Sequence, residues 1–225
     1  MSPDFRDVLA FHIQFDLPRS HDPAPMPLDQ LAFRLQFLRE ERAEFFDAFE
    51  RNDLVKTVDA LIDLVYVAIG TALFLGAPRS GALGTWPTYG GTLTHLMALG
   101  LRIPARPELC ELRRAKLFAM SSEVRIEMFR VAHDLALDEA GEGCRIALDL
   151  LRALVKTAYV TAAMMGTPWP RCWSHVQLAN LAKVRAAADG SNSKRGSAFD
   201  IVKPAGWTSP DAAIWATLKR AGWQP

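Results

Sequence analysis

The sequence predicts an all-α protein built as a helical bundle, and three observations indicate this class. Apolar residues recur at helical spacing, as at Leu31, Leu35 and Leu38. No stretch alternates apolar and polar residues in the manner of a half-buried strand. Glycine followed by proline ends two long apolar stretches, at Gly76-Ala77-Pro78 and Gly166-Thr167-Pro168.

The elements follow from this pattern in chain order. Leu17–Pro27 holds four prolines and is expected to be an extended connection. Residues 79–108 are rich in Gly and Pro and are predicted to be loop around one short helix, and Gly190–Ser197 is predicted to be a flexible loop. The predicted helices are Pro3–Phe15, Leu28 to the break at Asn52-Asp53, Leu54–Leu75, Thr92–Leu99, Glu108–Met120, Ser122–Leu137, Glu142–Met165, Trp173–Ala188 and Pro210–Arg220.

Composition narrows the class of function. The 225 residues are 50% hydrophobic and carry a formal net charge of +1, which argues against a protein that coats nucleic acid. The three cysteines form no CxxC pair, so a reducing compartment is favoured. The N-terminus has no basic region before an apolar core, and the apolar run Leu61–Leu75 is too short to span a membrane. We therefore expect a cytoplasmic protein that contacts neither membrane nor nucleic acid.

Two neighbouring predicted helices carry acids within apolar surroundings. Glu41 and Glu44 are three residues apart on the first helix, and Asp59 and Asp63 are four apart on the second, so each pair shares a helix face. The second helix is otherwise almost entirely apolar, and burying unpaired carboxylates costs several kcal/mol. A divalent cation between the helices would remove this cost.

The chemistry of the acids indicates which cation. Oxygen ligands without His or Cys nearby suit Mg²⁺, with Mn²⁺ possible, rather than Zn²⁺. The segment around Glu40 and Glu44 also fits an ordinary solvated helix face, because Glu, Arg and Ala are good helix formers. Asp59 and Asp63 favour the metal site, since aspartate is a mediocre helix former.

The residues resemble a known superfamily, the all-α nucleoside triphosphate pyrophosphohydrolases of the MazG type, which include the dimeric dUTPases. Its pattern EExxE on one helix and ExxD on the next is similar to Glu40-Glu41-Arg42-Ala43-Glu44 and Asp63 here, with Asp59 in place of an acid at Ala60. This form resembles a phosphoribosyl-ATP-pyrophosphohydrolase-like branch often met in phage genomes. The stretches that carry the resemblance further are Val8–Pro18, Tyr66–Gly76, Ser174–Val184 and Val202–Asp211.

The resemblance implies an activity and a set of roles. The activity would be cleavage of a ribo- or deoxyribonucleoside triphosphate, (d)NTP, between its α and β phosphates, giving the monophosphate and pyrophosphate in nucleotide-pool control. Glu41, Glu44, Asp59 and Asp63 would hold two or more Mg²⁺ ions, and Glu40 would orient or deprotonate the attacking water. Asn180, Lys183 and Lys203 would bind the substrate, although the two lysines also fit ordinary surface positions.

A weak internal sequence repeat bears on how the chain is divided. Thr71–Pro78 resembles Thr161–Pro168, and Glu40 and Glu44 have counterparts in Glu123 and Glu127. The second copy lacks acids at the positions of Glu41 and Asp63. One domain over 1–225 is expected, with metal-site helices in 28–76, an insertion or degenerate repeat in 79–167, and a substrate-closing helix and tail in 168–225.

Two other functional classes compete. A ferritin-type di-iron bundle would need Glu-x-x-His pairs, which are absent here. An inactive relative that binds a nucleotide or a protein partner on the same fold remains an alternative. Resemblance also implies a homo-oligomer, either a dimer or a tetramer.

Overall fold

The described part of the chain is almost entirely helical. The structure, a computed structural model, describes residues 2–20, 22–77, 85–104, 109–138 and 140–223, without the side chains of 109–119, 138 and 140. Its eight helices and two strands, which pair antiparallel, confirm the all-α class. In chain order they are α1 (Pro3–Gln14), α2 (Leu28–Glu50), α3 (Leu54–Phe74), α4 (Tyr89–Ala98), α5 (Leu109–Asp138), α6 (Ala140–Met164), α7 (Trp169–Leu181), β1 (Val184–Arg185), β2 (Ile201–Val202) and α8 (Asp211–Arg220).

Two helical hairpins form the centre of the molecule. α2 packs along α3, α5 packs along α6, and the hairpins meet where α3 packs on α6. The turn between α2 and α3 is short because Asn52 takes a left-handed conformation (φ 56°), which asparagine tolerates better than most residues. The Asp53 side chain then caps α3 by accepting a hydrogen bond from the Lys56 backbone N–H.

The same helix end occurs in both hairpins. Gly76 after α3 and Gly166 after α6 have φ angles of 80° and 69°, a conformation that favours glycine. The next backbone N–H reaches back in the same way in each, from Ala77 to the Ala72 carbonyl at 2.9 Å and from Thr167 to the Ala162 carbonyl at 3.0 Å. The two similar sequence segments therefore end their helices in the same conformation.

α1 and α7 pack beside this centre and are joined by buried polar contacts. The Asp4 carboxylate accepts hydrogen bonds from Tyr159 Oη at 2.5 Å and Trp169 Nε1 at 3.0 Å. Trp173 Nε1 donates to Asp7 at 3.0 Å. These contacts fix α1 against α6 and α7, and so place His12 near the carboxyl end of α3.

Three predicted helices differ clearly from the observed ones. Glu108–Met120 and Ser122–Leu137, predicted as separate, lie in the single helix α5 because no Gly or Pro interrupts the chain between them; Glu108 itself lies outside the described residues. The helix predicted over Trp173–Ala188 begins earlier, at Trp169 with Pro170 in its first turn, and ends at Leu181. It ends there because Val184 pairs with Val202 across the β1–β2 ladder.

α3 is the one helix of the described chain that could cross a membrane by length and composition. However, 89% of its most apolar window is buried inside the protein, as in the core helix of a soluble protein. It packs against α1, α2, α6, α7 and α8. Any charged group on this helix is therefore held close to the protein interior.

Candidate active site

A cavity of about 430 Å³ lies between α1, α2, α3, α7 and the segment 184–203. This segment, called the strap below, contains β1, the loop Gly190–Ser197 and β2. One end of the cavity is acidic, with Glu41, Glu44 and Asp63, and the other is aromatic. Its remaining walls are formed by Phe11, His12, Leu17, Arg34, Phe37, Tyr66, Val67, Gly70, Asn180, Lys183, Asn192, Lys194, Arg195, Phe199, Asp200, Ile201, Val202 and Lys203.

Glu41 is the most unusual group in the acidic wall. It is 6% exposed, and its Oε2 atom has no hydrogen-bond partner. Burial raises the pKa of this carboxyl well above its ordinary value, and the nearby Asp63 and Glu44 raise it further. A buried oxygen without a donor is costly to leave unpaired, so this position fits a bound cation.

Asp63 faces Glu41 from α3. Burial raises its pKa, while Lys183 and the side chain of Asn180 act in the opposite direction. Lys203, on the strap, lowers this pKa as well. Three of the predicted acids, Glu41, Glu44 and Asp63, therefore lie around one cavity with the three predicted substrate-binding residues.

Asp59 does not line this cavity. Its carboxylate lies 3.6 Å from Lys56 Nζ, which also donates to Asp211 at 2.8 Å. Burial, followed by the charge of Asp63, raises the pKa of Asp59 to about 7. Asp59 therefore interacts electrostatically with Asp63 while pointing toward α8.

Glu40 lies just outside the cavity lining and is held by the strap. Its Oε2 atom is 2.6 Å from Arg195 Nη2 and 3.7 Å from Lys194 Nζ. Its Oε1 atom accepts a hydrogen bond from Gln36 at 3.0 Å. Glu40 is thus engaged in an ion pair rather than directed at the other acids.

The acids suit a hard divalent cation in chemistry, although they are not gathered into a closed cage. Within the described residues, no three Asp, Glu, His or Cys groups converge closely enough to hold a metal ion as they stand. The orphaned Glu41 oxygen and the facing Asp63 nevertheless provide the carboxylate ligands that Mg²⁺ prefers. Glu41, Glu44 and Asp63 would hold the ion, and Asp59 would join them only after its side chain turned from Lys56.

Two tryptophans near the site contact the residues that form it. Trp173 is buried and stacked on Tyr66 with ring centroids 5.6 Å apart. Trp207 Nε1 donates to the Ala179 carbonyl at 2.8 Å. The ammonium groups of Lys203 and Lys183 lie 4.5 and 5.7 Å from the Trp207 ring centroid, so this ring helps to position both lysines.

Two arginines also line the cavity: Arg34, which the sequence patterns did not single out, and Arg195, which they placed in a loop. Arg34 shares the inward face of α2 with Leu31, Leu35 and Leu38, so a charge on an apolar stripe was the available signal. Arg195 belongs to the loop Gly190–Ser197, which the sequence predicted to be flexible. Its guanidinium instead lies 3.7 Å from the Phe37 ring centroid and pairs with Asp200 and Glu40.

Comparison with known proteins gives one match. Residues 8–78 match the family model described as phosphoribosyl-ATP pyrophosphohydrolase, a segment that runs from within α1 to the end of α3. No curated protein and no solved structure matches the chain. The matched segment carries Glu41, Glu44 and Asp63 but stops before Asn180, Lys183 and Lys203. Residues 8–78 thus match a family that belongs to the MazG-like superfamily of all-α nucleoside triphosphate pyrophosphohydrolases.

Proposed function

We propose that the protein is a Mg²⁺-dependent pyrophosphohydrolase that cleaves a (d)NTP between its α and β phosphates. One observation carries the proposal: the buried, unpartnered Glu41 carboxylate faces Asp63 in a cavity that also contains Lys183 and Lys203. Carboxylates attract cations and lysines attract phosphates, so a metal–triphosphate complex satisfies both groups. A role in nucleotide-pool control follows from this reaction.

The proposal assigns a role to each group of side chains in the cavity. Glu41, Glu44 and Asp63 would hold Mg²⁺ or Mn²⁺, and the metal when bound would stabilise charge on the phosphates and lower the pKa of a bound water. Lys183 and Lys203 neutralise phosphate charge. Asn180 contacts Asp63 and the nucleotide.

The reaction is an in-line displacement at the α phosphorus. The water oxygen forms a bond to this phosphorus, and the bond from the phosphorus to the α–β bridging oxygen breaks. Pyrophosphate leaves with the electron pair. Glu40 accepts the proton of the water, which requires that Arg195 leave Glu40 and pair with a phosphate instead.

The substrate is proposed to be a free (d)NTP, and the active particle a homo-oligomer. The alternative is an inactive relative that binds nucleotide without cleaving it. Incubation of the full chain with each (d)NTP and Mg²⁺, followed by measurement of pyrophosphate, separates the two, and gel filtration gives the oligomeric state. Absence of turnover with every nucleotide would overturn the enzymatic proposal.

Glu41→Gln and Asp63→Asn test the acidic wall. Loss of a residue that only orients a metal ligand lowers activity roughly 10–100-fold. Each of these variants removes a direct ligand, so kcat/KM should fall by more than that. Each should also weaken the rise in Tm that Mg²⁺ causes, because a cation ligand is gone. Asp47→Asn, at an exposed position of the same helix, is the matched control and should keep both properties. Full activity in Glu41→Gln would place the site elsewhere.

A further inference from the structure

Arg34 is a buried cation in the aromatic end of the cavity. The residue is 4% exposed, its Nε donates to Thr71 Oγ1 at 3.0 Å, and its Nη2 donates to the Val67 carbonyl at 2.6 Å. No carboxylate lies within ion-pair distance of it among the residues that the structure describes. Its guanidinium carbon lies 5.0–5.6 Å from the ring centroids of Phe33, Phe37 and Phe74.

This position is unfavourable for an isolated charge. Burial, followed by the charge of Arg195, lowers the pKa of Arg34 to about 9. Its hydrogen bonds described above use Nε and Nη2, to a hydroxyl and a carbonyl, and neither partner carries a negative charge. A buried cation in a cavity wall without an ion-pair partner among the described residues points to a ligand that brings hydrogen-bond acceptors.

His12 places an acceptor beside these donors. It is 2% exposed, and its Nδ1 lies 3.1 Å from the Pro18 carbonyl oxygen, which can only accept, so Nδ1 carries the proton. Burial lowers the pKa of His12 to about 3, which keeps the ring neutral and leaves a lone pair on Nε2.

Gly70 shows how close the two side chains lie. A Cβ atom built on Gly70 would be 3.0 Å from Arg34 Nη2 and 3.0 Å from His12 Nε2. The donor tip of Arg34 and the acceptor tip of His12 are therefore neighbours above this glycine. A side chain at position 70 would disturb both.

This end of the cavity is separated from the acids by a length suited to a nucleotide. Arg34 and Glu41 are seven residues apart on α2, and Gly70 and Asp63 are seven apart on α3, about 10 Å in each helix at 1.5 Å per residue. Resting on the proposed function, a triphosphate at the acidic end would place its base between the aromatic rings at the other end.

We propose that Arg34 and His12 form a base-recognition subsite that selects bases with a carbonyl oxygen next to a ring N–H. Guanine, hypoxanthine, uracil and thymine carry this edge. The guanidinium donates to the carbonyl oxygen, and the ring N–H donates to His12 Nε2. In the same pose adenine and cytosine set an amino group against the guanidinium and a ring-nitrogen lone pair against the lone pair of His12 Nε2, so both hydrogen bonds are lost. The same reasoning disfavours adenine-based phosphoribosyl-ATP.

Binding of nucleoside monophosphates tests the subsite independently of hydrolysis, because these ligands have no α–β bond. Isothermal titration of the full chain with dGMP, dUMP, dAMP and dCMP should give at least about tenfold tighter binding of the first two, since a site built to hydrogen-bond one edge rejects the wrong one. Equal affinities, tighter binding of dAMP or dCMP, or no binding of any of the four would overturn the proposal. Selective binding without turnover of triphosphates would overturn the proposed hydrolysis and leave the subsite standing.

Gly70→Ala is the decisive variant. Alanine is a better helix former than glycine, so the protein should stay folded while the new methyl group displaces Arg34 and His12. The ratio of dGMP to dAMP affinity should fall toward one. Gly90→Ala, in a helix where a Cβ atom meets nothing within 4 Å, is the matched control and should keep the ratio. Arg34→Lys should also lose the preference where circular dichroism shows it folded. Retention of the full ratio in Gly70→Ala would overturn the assignment.

Discussion

At the residue scale, the surroundings of each acid in the fold show which acids share the cavity, and sequence spacing alone does not. Glu41 and Asp63 share one cavity, whereas Asp59, on the same helix as Asp63, is drawn toward Lys56. Sequence spacing indicated which helix faces carry acids, but the ammonium group of Lys56 near Asp59 is also bound by Asp211 of α8, which is distant in the chain. Asp59 therefore interacts electrostatically with Asp63 but does not line the cavity that contains the proposed metal site.

Asp59 gives a stability prediction with a definite sign. Its pKa is about 7 in the folded protein against an ordinary 3.8, so between these values the folded state binds more protons than the unfolded state. The stabilisation from this group is present below about pH 4 and is lost as the pH rises through about 7. In the metal-free protein, Asp59→Asn should remove this loss, which has a limiting slope of about 1.4 kcal/mol per pH unit.

Urea unfolding of the metal-free protein at a series of pH values measures this effect. The free energy of unfolding of wild type minus that of Asp59→Asn should decrease with rising pH, because the contributions of groups that do not interact with Asp59, such as His12, cancel in the difference. Asp47→Asn, exposed on α2 and paired with Arg51, should follow wild type at every pH. A difference between wild type and Asp59→Asn that does not change with pH would contradict the buried placement of Asp59.

At the element scale, the strap determines how the cavity is closed. Gly190–Ser197 looked like a flexible loop because of its Gly and Ser content, yet its turns converge on Asp200, which is 2% exposed. Asp200 accepts hydrogen bonds from Ser193 Oγ at 2.8 Å and from Arg195 Nη1 at 3.1 Å. Local composition predicts a turn but not a buried partner beyond the loop. The apolar periodicity within α2 and α3 was enough to predict these helices, whereas the conformation of the strap depends on Asp200, which lies outside the loop.

Asp200→Ala tests the strap as a positioning element. Arg195 should lose the anchor that would hold it in place when it pairs with a phosphate. Charged hydrogen bonds contribute about 1.5–3 kcal/mol, so KM for the preferred triphosphate should rise roughly 10–100-fold while kcat falls less. Steady-state kinetics measure both constants. Asp189→Ala, an exposed position of the strap, should leave them near wild type, and an unchanged KM in Asp200→Ala would show that the strap does not position the substrate.

At the scale of the whole molecule, one hairpin carries the acids and the other supports it. The matched family segment ends with α3, yet α3 buries much of its surface on α6, which lies outside that segment. Arg39 and Arg42 of α2 pair with Glu127 and Glu123 of α5, so the acids of the second copy are used in ion pairs between the hairpins. The two hairpins should therefore unfold as one domain.

Leu151→Ala tests this coupling from the far side of the α3–α6 contact. Leu151 of α6 is fully buried, and such a truncation costs about 2–5 kcal/mol. If the chain is one domain, native-state hydrogen exchange should show protection falling by the same free energy in α3 as in α6, because both helices open together. Lys156→Ala, exposed on α6, should change protection by no more than about 0.5 kcal/mol. Protection of α3 that stays at the wild-type level while α6 loses its own would mean that the hairpin with the acids folds independently, and that the second hairpin is an attached unit rather than part of the same core.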